Sequence, residues 1–511
     1  MIIRDITAGG ACRHPERTAV VSGETRYTYL QLHKRSNRLA NALLRLGLEK
    51  GDIVCVYADN CPQYPEIAAA CTKTGVAMAP FMVSVPPEEL VPMINNCRSK
   101  VFICSGRFIE PVSRLKGQLV HTEHLISLGT SVGTALDYES LLSEASPQEP
   151  PVLNLEYSDL SYVGSTSGTT GLPKQTMRTY ETTLAVGLEI SYVLDLNPKD
   201  IYFQPCTAIF GIGSWRLLFH LGCTCILPND FSPQSILDTI QKERVTKVFT
   251  TADCIRQLLN FPGLGEYDLS SLRRIWVTGA PLTGAEWERA IKIFGHCFVQ
   301  VYSIQEQAPI SLLQPEDFKE ALEGNHPERL RSVGRPALDV QIRVVGVDRS
   351  PLGPNELGEV ATSGGNLIAG YLNNPDATAE AIKDGVFYTG DLGMFDDYGY
   401  LYLKGRKSDM VKVGGNLVLP LEVEVSILRH KAVREVAVVG VPIGSEDYKV
   451  VAFVISDGHV PSEEILALCR GNLPSYAVPA EIIFVKDFPK TASGKVMKRK
   501  LIDEYKGREK K

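Results

Sequence analysis

The chain has 511 residues, 44% of them hydrophobic, with 53 Lys and Arg against 59 Asp and Glu and a formal charge of −6. This composition excludes a disordered or fibrous protein, and the length predicts several domains. The small acidic excess argues against a general nucleic-acid binder, which needs surplus cations to neutralise phosphates.

From residue 29 to residue 300 the sequence alternates between helical and strand patterns. Helices are predicted near residues 32–46, 87–96, 233–244 and 284–294, and strands at residues 53–57, 101–104, 248–251, 274–278 and 298–304. Such alternation predicts largely parallel sheets covered by helices on both faces. Ligand sites then belong at the loops that leave the carboxyl ends of the strands.

After about residue 335, short strands and turns predict a small β-barrel-like subdomain. From Arg406 to the end there are 18 Lys and Arg against 14 Asp and Glu, a net charge of +4, which leaves −10 for the rest. This basic segment has strand patterns at 436–441, 450–455 and 482–485 and helical patterns near 421–429 and 462–473. We predict an α/β protein with a large N-terminal domain over residues 1–404 and a small, mobile α+β domain over residues 405–511.

The amino terminus has no basic segment followed by an apolar run, and no apolar stretch reaches the roughly 18 residues that cross a bilayer. The richest stretch, from Val76 to Val85, contains Pro80 and predicts a buried core element. The 12 cysteines are scattered through apolar segments, which predicts buried thiols rather than a metal–thiolate site. We expect a cytoplasmic protein with neither a membrane nor a nucleic-acid polymer as partner.

The segment from Tyr162 to Lys174 reads Y-V-G-S-T-S-G-T-T-G-L-P-K. Backbone N–H groups that glycine leaves accessible, several hydroxyl groups and one ammonium group could together bind a polyphosphate. The P-loop pattern fails, because Pro173 stands where its second glycine belongs and Lys174 is not followed by Ser or Thr. On these residues alone, a phosphate cradle and a flexible polar loop both remain open.

This loop resembles the phosphate-binding signature of the adenylate-forming superfamily, which includes acyl-CoA synthetases, adenylation domains of peptide synthetases and beetle luciferases. Further segments resemble the motifs of that superfamily in the same order: T-G-A-P-L at 278–282, V-Y-S-I-Q-E at 301–306, Y-T-G-D at 388–391, G-R-K-S-D at 405–409 and P-K-T-A-S-G-K at 489–495. The resemblance covers about residues 15 to 500, and six ordered motifs are far more specific than one loop.

The resemblance implies a two-step reaction that uses ATP, Mg²⁺ and coenzyme A: a carboxylate attacks the α-phosphate, and a thiol then displaces AMP. It implies catalytic roles for Lys495, which would contact the carboxylate and α-phosphate, for Glu306, which would hold Mg²⁺, and for Arg406. Tyr302 would stack on adenine, and Asp391 would bind the ribose hydroxyls. The implied ATP- and AMP-binding residues are Thr166, Ser167, Gly168, Thr169, Thr170, Lys174, Gly279, Ala280, Pro281, Tyr302, Ser303, Gln305, Asp391 and Arg406.

Each of these residues also has an ordinary structural explanation when taken singly. Glu306 could be a surface acid, and Tyr302 could be a core aromatic at a strand end. Asp391 could form a turn, and Arg406 could be a solvated cation in a linker. The shared order of the motifs is what favours the functional interpretation.

The chain departs from the superfamily pattern at three places, one of which is P-C-T-A at 205–208, where many members carry Pro-x-x-His. The usual Tyr-Gly-x-Thr-Glu is Y-S-I-Q-E at residues 302–306, so Ser303 adds bulk and Gln305 replaces a threonine that contacts phosphate. The hinge acid expected two residues after Arg406 is Ser408, with Asp409 beside it. We take Ser408 and Asp409 together as the predicted hinge.

The acceptor thiol is predicted to be that of coenzyme A. Lys412, Gly414 and Gly415 resemble the strand that lines the pantetheine channel in superfamily members, where glycine allows a thin chain to pass closely. The sequence given ends sixteen residues after Lys495, which leaves no room for a carrier domain. A stand-alone adenylation enzyme that loads a separate carrier protein remains an alternative.

The carboxylic acid substrate is predicted from a stretch of aromatic and small residues. The predicted acyl pocket comprises Phe210, Gly211, Ile212, Gly213, Trp215, Thr278, Gly279 and Ile304. It holds no acid that could pair with a substrate ammonium, and it resembles benzoate-type ligases. We predict an aryl or alicyclic carboxylate, with a short or medium fatty acid as the alternative, in a reaction that is reversible in principle. The resemblance to the superfamily also leads us to expect a homodimer.

Overall fold

The computed structural model describes residues 5–129, 133–166, 173–207, 209, 212–279, 282–443, 447–490 and 496–509. Two compact units are present. The first comprises Met1–Thr166, Pro173–Gln341 and Ser363–Phe387, and the second includes Ile342–Thr362 and Tyr388–Lys511. The predicted division after residue 404, with a mobile C-terminal domain, stays a prediction.

The strands are short, with two of ten residues as the longest. In chain order they are β1 (Thr18–Ser22), β2 (Thr25–Thr28), β3 (Ile53–Tyr57), β4 (Ala77–Pro80), β5 (Val101–Ser105), β6 (His124–Leu128), β7 (Leu136–Asp137), β8 (Leu160–Ser165), β9 (Gln175–Thr179), β10 (Ile201–Phe203), β11 (Thr224–Ile226), β12 (Lys247–Thr251), β13 (Arg274–Thr278), β14 (Phe298–Tyr302), β15 (Ser311–Leu313), β16 (Arg335–Pro336), β17 (Val340–Val345), β18 (Gly358–Gly364), β19 (Gly370–Tyr371), β20 (Ile382–Lys383), β21 (Val386–Phe395), β22 (Leu401–Arg406), β23 (Val411–Val413), β24 (Asn416–Val418), β25 (Val433–Pro442), β26 (Tyr448–Ser456) and β27 (Glu481–Phe484).

The helices alternate with these strands through the first unit. They are α1 (Ala8–Arg13), α2 (Tyr29–Arg45), α3 (Gln63–Thr74), α4 (Pro87–Asn96), α5 (Gly106–Arg114), α6 (Tyr138–Ser143), α7 (Tyr180–Leu194), α8 (Ile212–Leu221), α9 (Pro233–Glu243), α10 (Ala252–Leu259), α11 (Gly284–Phe294), α12 (Pro315–Leu322), α13 (Pro375–Ala381), α14 (Pro420–Ile427), α15 (Ser462–Asn472) and α16 (Lys498–Glu509). Helices α2 and α11 begin with a capping box, formed by Thr28 with Gln31 and by Thr283 with Glu286. Each box satisfies two backbone donors that the first turn would leave unpaired.

Two large sheets organise the first unit. The nine-stranded sheet has the order β16-β15-β14-β13-β12-β10-β11-β1-β2, and the eight-stranded sheet has the order β19-β9-β8-β4-β3-β5-β6-β7. The pairs from β1 through β11, β10, β12 and β13 to β14 are parallel, as are β8 to β4 and the pairs from β4 to β7. Central strands such as β3 and β14 are buried at every residue, as expected for sheets covered on both faces. The predicted α/β fold with largely parallel sheets is confirmed.

Strands β17, β18, β21, β20 and β22 form a five-stranded sheet in which β22 pairs with β21. Strand β22 runs from Leu401 to Arg406, because its antiparallel pairing with β21 continues to the pair of Asp391 and Arg406. In the nine-stranded sheet, β14 ends at Tyr302 rather than at Ile304. The backbone of Ile304 there bonds with that of Gln307 in a turn, at 3.0 and 3.2 Å, instead of continuing the ladder.

The C-terminal residues form a three-stranded sheet in the order β25-β26-β27. Alternate strand residues face opposite sides, so Val438 and Ala452 pack on one core with α14 and α15. Val439 and Phe453 pack on a second core with Leu501 and Tyr505 of α16. This sheet with its flanking helices is the α+β arrangement predicted for the C-terminal segment.

The predicted core element around Pro80 is confirmed, since β4 is buried throughout. Eight cysteines are buried, three are partly buried and Cys12 is exposed. No helix in the described part of the chain combines the length and apolar composition that crossing a bilayer requires.

Candidate active site

The carboxyl ends of β13 and β14 bring two of the predicted motifs together. The strands are parallel neighbours, so the residues that follow them emerge at one edge of the sheet. The hydroxyl oxygens of Thr278 and Ser303 lie 2.9 Å apart across this edge. Gly279 has a φ of +96°, a conformation that glycine adopts without steric cost. Ala280 and Pro281 lie outside the described residues.

The ends of the Ser/Thr/Gly loop are held by the antiparallel pair β8 and β9. The backbone N–H of Thr166 donates to the carbonyl of Lys174 at 2.9 Å, and the N–H of Lys174 donates to Oγ1 of Thr166 at 3.0 Å. Lys174 Nζ lies 4.8 Å from the ring centroid of Tyr371. Of the predicted loop residues, Ser167, Gly168, Thr169 and Thr170 lie outside the described part of the chain.

Glu306 is anchored by the segment that contains β19. The hydroxyl of Tyr371 donates to Oε1 of Glu306 at 2.8 Å, and the N–H of Ile368 donates to the Glu306 carbonyl at 3.0 Å. Oε2 of Glu306 has no hydrogen-bond partner among the described residues. Carboxylate oxygens are the hard ligands that Mg²⁺ prefers, so Glu306 fits the predicted metal role.

Tyr371 itself was not found from the sequence. It is 4% exposed, and burial, followed by the negative charge of Glu306, raises the pKa of its phenol well above the usual value. The hydroxyl therefore stays protonated at neutral pH and remains a donor. No local pattern marks it, since an aromatic residue after glycine in a short strand is commonplace.

Arg178 is a second site neighbour that sequence reasoning missed. Its guanidinium donates to the carbonyls of Gln305, at 2.9 Å, and Asn366, at 3.2 Å. The side chain is buried, and this burial lowers the pKa of Arg178 while the charge of Glu306 opposes the shift. Arg178 thus fixes the backbone immediately before Glu306.

The side chain of Gln305 lies back against strand β8. A Cβ on Gly164 would overlap Nε2 of Gln305 and lie 2.7 Å from Oγ1 of Thr176. The carboxamide therefore occupies space that only glycine leaves open at this position. The longer side chain that replaces the expected threonine is accommodated in this way.

Gly164→Ala is expected to displace Gln305 and to lower the free energy of unfolding by about 1 to 3 kcal/mol, because the added methyl overpacks a filled position. Urea unfolding measures the loss. Gly117→Ala is the matched control, since a Cβ there meets nothing within 4 Å. Adding Gln305→Ala to the Gly164→Ala protein should restore part of the stability. Equal midpoints for Gly164→Ala and the unmodified protein would contradict this packing.

The aromatic residue predicted to stack on adenine, Tyr302, ends β14 and is 8% exposed. Ile304, two residues later, packs against Leu367, Ile368 and Tyr371. The structure thus places these two side chains at the same sheet edge as Glu306. Their contacts with nucleotide or acid stay predictions.

The predicted acyl-pocket residues of α8 lie in a tightly packed region of the first unit. Trp215 is fully buried, and its ring meets that of Tyr64 edge to face with centroids 6.3 Å apart. A Cβ on Gly213 would lie 3.0 Å from Val186 of α7. Phe210, Gly211 and the side chain of Ile212 lie outside the described residues.

Asp391 and Arg406 form an ion pair in the second unit. They are opposite each other in the β21–β22 ladder, with Arg406 Nε 2.7 Å from Asp391 Oδ1. The N–H of Asp391 also donates to Oγ1 of Thr389, at 3.0 Å. The Asp391 side chain is 10% exposed and that of Arg406 is 44% exposed, so the cation can be reached from solvent.

The predicted hinge residues lie in a single 3₁₀ turn, Lys407–Asp409. The hydroxyl of Ser408 donates to Oδ1 of Asp409 at 3.2 Å, and Nζ of Lys498 lies 3.9 Å from Oδ2 of Asp409. Which of the two residues pivots stays a prediction. The predicted catalytic lysine, Lys495, lies outside the described residues.

Gly414 and Gly415 form the turn of the β23–β24 hairpin, with φ values of +54° and +84°. Two consecutive positive φ values are what a tight type I′ turn needs, which explains the glycine pair. The N–H of Gly414 donates to Oδ1 of Asp447 at 2.8 Å, and Lys412 is exposed beside the turn. Their part in a thiol channel stays a prediction.

Comparison with known proteins gives matches along nearly the whole chain. The family model described as "AMP-binding enzyme" matches residues 9–372, and the model of the "AMP-binding enzyme C-terminal domain" matches residues 422–495. The chain is 32% identical over 490 residues to a feruloyl-CoA synthase from Amycolatopsis sp., covering 95% of each chain. It is 28% identical over 539 residues to a long-chain-fatty-acid–CoA ligase from Salmonella typhimurium, covering 98% of this chain and 93% of that one.

A solved structure of an amide bond synthetase from Marinactinospora thermotolerans is also similar. It superposes with a TM-score of 0.88 at 26% identity, over 98% of this chain and all of that chain.

Proposed function

Because the chain belongs to the AMP-binding enzyme family, we propose that it is an AMP-forming ligase that joins a carboxylic acid to coenzyme A. The observation that carries the proposal is that Lys174 and Glu306 both contact the side chain of Tyr371. A cation for phosphate, just before β9, and a carboxylate for a divalent metal, just after β14, are thereby held beside one tyrosine side chain. Metal–triphosphate chemistry needs that pairing.

The first step forms an acyl adenylate. A carboxylate oxygen of the acid attacks the α-phosphorus of ATP, the bond from that phosphorus to the bridging oxygen breaks, and pyrophosphate leaves. Bound Mg²⁺ supplies charge neutralisation on phosphate oxygens. Glu306 would hold the ion, while residues 166–170 and Lys174 would bind the outer phosphates. The protein's part is largely positioning and charge placement.

The second step transfers the acyl group. The sulfur of coenzyme A, after losing its proton, attacks the acyl carbonyl, the bond to the AMP oxygen breaks, and AMP leaves with that electron pair. We assign the pantetheine arm to the glycine turn at Gly414 and Gly415, beside Lys412. Residues 405–511 would turn about Ser408 and Asp409 between the steps, so that Lys495 acts only in the first.

Asp391 and Arg406 would bind the ribose and phosphate of the nucleotide. The guanidinium of Arg406 is 44% exposed and can turn toward a ribose or phosphate oxygen, whereas the Asp391 carboxylate is largely buried. Asp391 would then accept hydrogen bonds from the ribose hydroxyls.

The acid is proposed to be an aryl or alicyclic carboxylate. The predicted pocket combines Phe210 and Trp215 with small residues, and one similar protein is named a feruloyl-CoA synthase. The alternative, a fatty acid, has support from the similarity to a long-chain-fatty-acid–CoA ligase. A carrier protein in place of coenzyme A is the alternative acceptor.

A pyrophosphate-release screen tests the proposal. Benzoates, cyclohexane and cyclohexene carboxylates, fatty acids and amino acids are each supplied with ATP and Mg²⁺, with and without coenzyme A. We expect fastest release with an aryl or alicyclic acid, and AMP and thioester formation that depends on coenzyme A. A fatty acid as best substrate would overturn the acid assignment, and adenylate formation without thioester would favour the carrier-protein alternative.

A further inference from the structure

Tyr371 lies between the two groups that the proposed function assigns to metal and phosphate. Its hydroxyl donates to Oε1 of Glu306 at 2.8 Å, and its ring centroid lies 4.8 Å from Nζ of Lys174. One side chain thus contacts the proposed metal ligand through its polar end and the proposed phosphate ligand through its apolar face.

The backbone around Tyr371 is fixed by several independent contacts. Strand β19 pairs with β9, which places Tyr371 opposite Thr176. The N–H of Tyr371 donates to Oγ1 of Thr378 at 2.9 Å, and a Cβ on Gly370 would lie 2.8 Å from Cγ2 of that threonine. The side chain is buried against Ile304, Leu367 and Ile368. The ring therefore has little freedom to follow its two partners.

The hydroxyl contact orients the Glu306 carboxylate. Oε1 accepts the Tyr371 hydrogen bond, whereas Oε2 has no partner among the described side and main chains. A ligand carboxylate that is hydrogen-bonded on one oxygen is fixed in orientation, and loss of such a supporting contact weakens metal binding by about 10- to 100-fold in other proteins. Tyr371 is placed to give that support.

The ring contact acts on Lys174. An ammonium within about 6 Å of an aromatic centroid is attracted to the ring face, which favours one position of a long, flexible side chain. Lys174 is also tethered at its backbone by Thr166. The ammonium is thereby held beside the ring of Tyr371.

We propose that Tyr371 is a positioning residue of the metal–triphosphate site, orienting Glu306 through its hydroxyl and Lys174 through its ring. The inference rests on the proposed function, since it requires that the site binds a metal–nucleotide complex. Neither effect makes Tyr371 a catalytic residue, because it acts through the two side chains that it contacts.

The test measures binding rather than turnover. Calorimetry gives the dissociation constant of α,β-methylene-ATP with EDTA and again with excess Mn²⁺, and the ratio of the two constants reports the metal contribution. Tyr371→Phe keeps the ring and should reduce this ratio about tenfold. Its affinity for metal-free nucleotide should stay within twofold of the unmodified protein.

Tyr371→Leu removes the ring as well. It should reduce the ratio as Tyr371→Phe does and, in addition, weaken metal-free nucleotide binding about two- to fivefold, through loss of the contact with Lys174. The matched control is Tyr138→Phe, which removes another buried tyrosine hydrogen bond of 2.8 Å, to Glu66. This control should leave both constants unchanged, although it lowers stability.

The outcomes separate the two proposals. If the unmodified protein binds no metal–nucleotide complex, the proposed function fails and this inference fails with it. If the unmodified protein binds and Tyr371→Phe gives the same ratio, the role of the hydroxyl is overturned while the proposed function stands. An equal loss of the ratio in Tyr138→Phe would also overturn it, because the effect would then be one of general stability.

Discussion

Lys495→Ala is expected to slow acyl-adenylate formation by about 100- to 1,000-fold, the usual loss when one donor to developing oxyanion charge is removed. The ammonium is proposed to hold the attacking carboxylate and the α-phosphate together, two anions that otherwise repel. Pyrophosphate release under single-turnover conditions, with acid and ATP saturating, measures the step. The P-K-T-A-S-G-K motif carries this assignment, since Lys495 lies outside the described residues.

The same variant separates the two half-reactions. Thioester formation from supplied acyl adenylate and coenzyme A should fall much less, because Lys495 is proposed to leave the site after the first step. Lys490→Ala is the matched control, since its ammonium is paired with Glu435 at 2.8 Å and has no proposed role. Equal losses in both half-reactions would contradict the proposed alternation of residues 405–511.

Glu306→Gln is expected to slow adenylate formation by about 100-fold or more at low Mg²⁺, because the metal loses its one proposed carboxylate ligand. Glutamine has the same shape, and its amide oxygen can still accept the hydrogen bond from Tyr371. The local packing therefore survives while the charge is lost. A Mg²⁺ titration of pyrophosphate release should show a half-maximal concentration shifted upward.

Glu380→Gln makes the same change in charge nearby and serves as the control. Glu380 is an exposed residue of α13, the helix that follows Tyr371. Its replacement should leave the Mg²⁺ dependence unchanged. If Glu306→Gln and Glu380→Gln gave the same titration curve, the metal role of Glu306 would be wrong.

The helices and strands were largely predictable because local patterns set them. Helix α4 at Pro87–Asn96, helix α11 at Gly284–Phe294 and strand β13 at Arg274–Thr278 lie where the sequence placed them. The strand ends were less predictable. Strand β14 stops at Tyr302 because the next backbone groups bond within a turn, and β22 continues to Arg406 because its partner strand continues.

Some residues of the candidate site could likewise be predicted from local motifs, and others could not. The resemblance of contiguous motifs to the superfamily pattern marked Glu306, Lys174 and Asp391. Arg178 and Tyr371 belong to no such segment. Arg178 precedes the carbonyl it holds by 127 residues, and Tyr371 follows the carboxylate it holds by 65 residues.

The family, the α/β alternation and the order of the chemistry-bearing motifs could be predicted from the amino-acid sequence, because short contiguous patterns encode them. The contacts of Tyr371 with Glu306 and Lys174, and the position of Gln305 over Gly164, are seen only in the three-dimensional structure. These contacts join segments that are distant in the chain. The pairing of β19 with β9 brings Tyr371 near Lys174, whereas Gln305 and Glu306 follow β14 of the other large sheet, and no local pattern specifies either association.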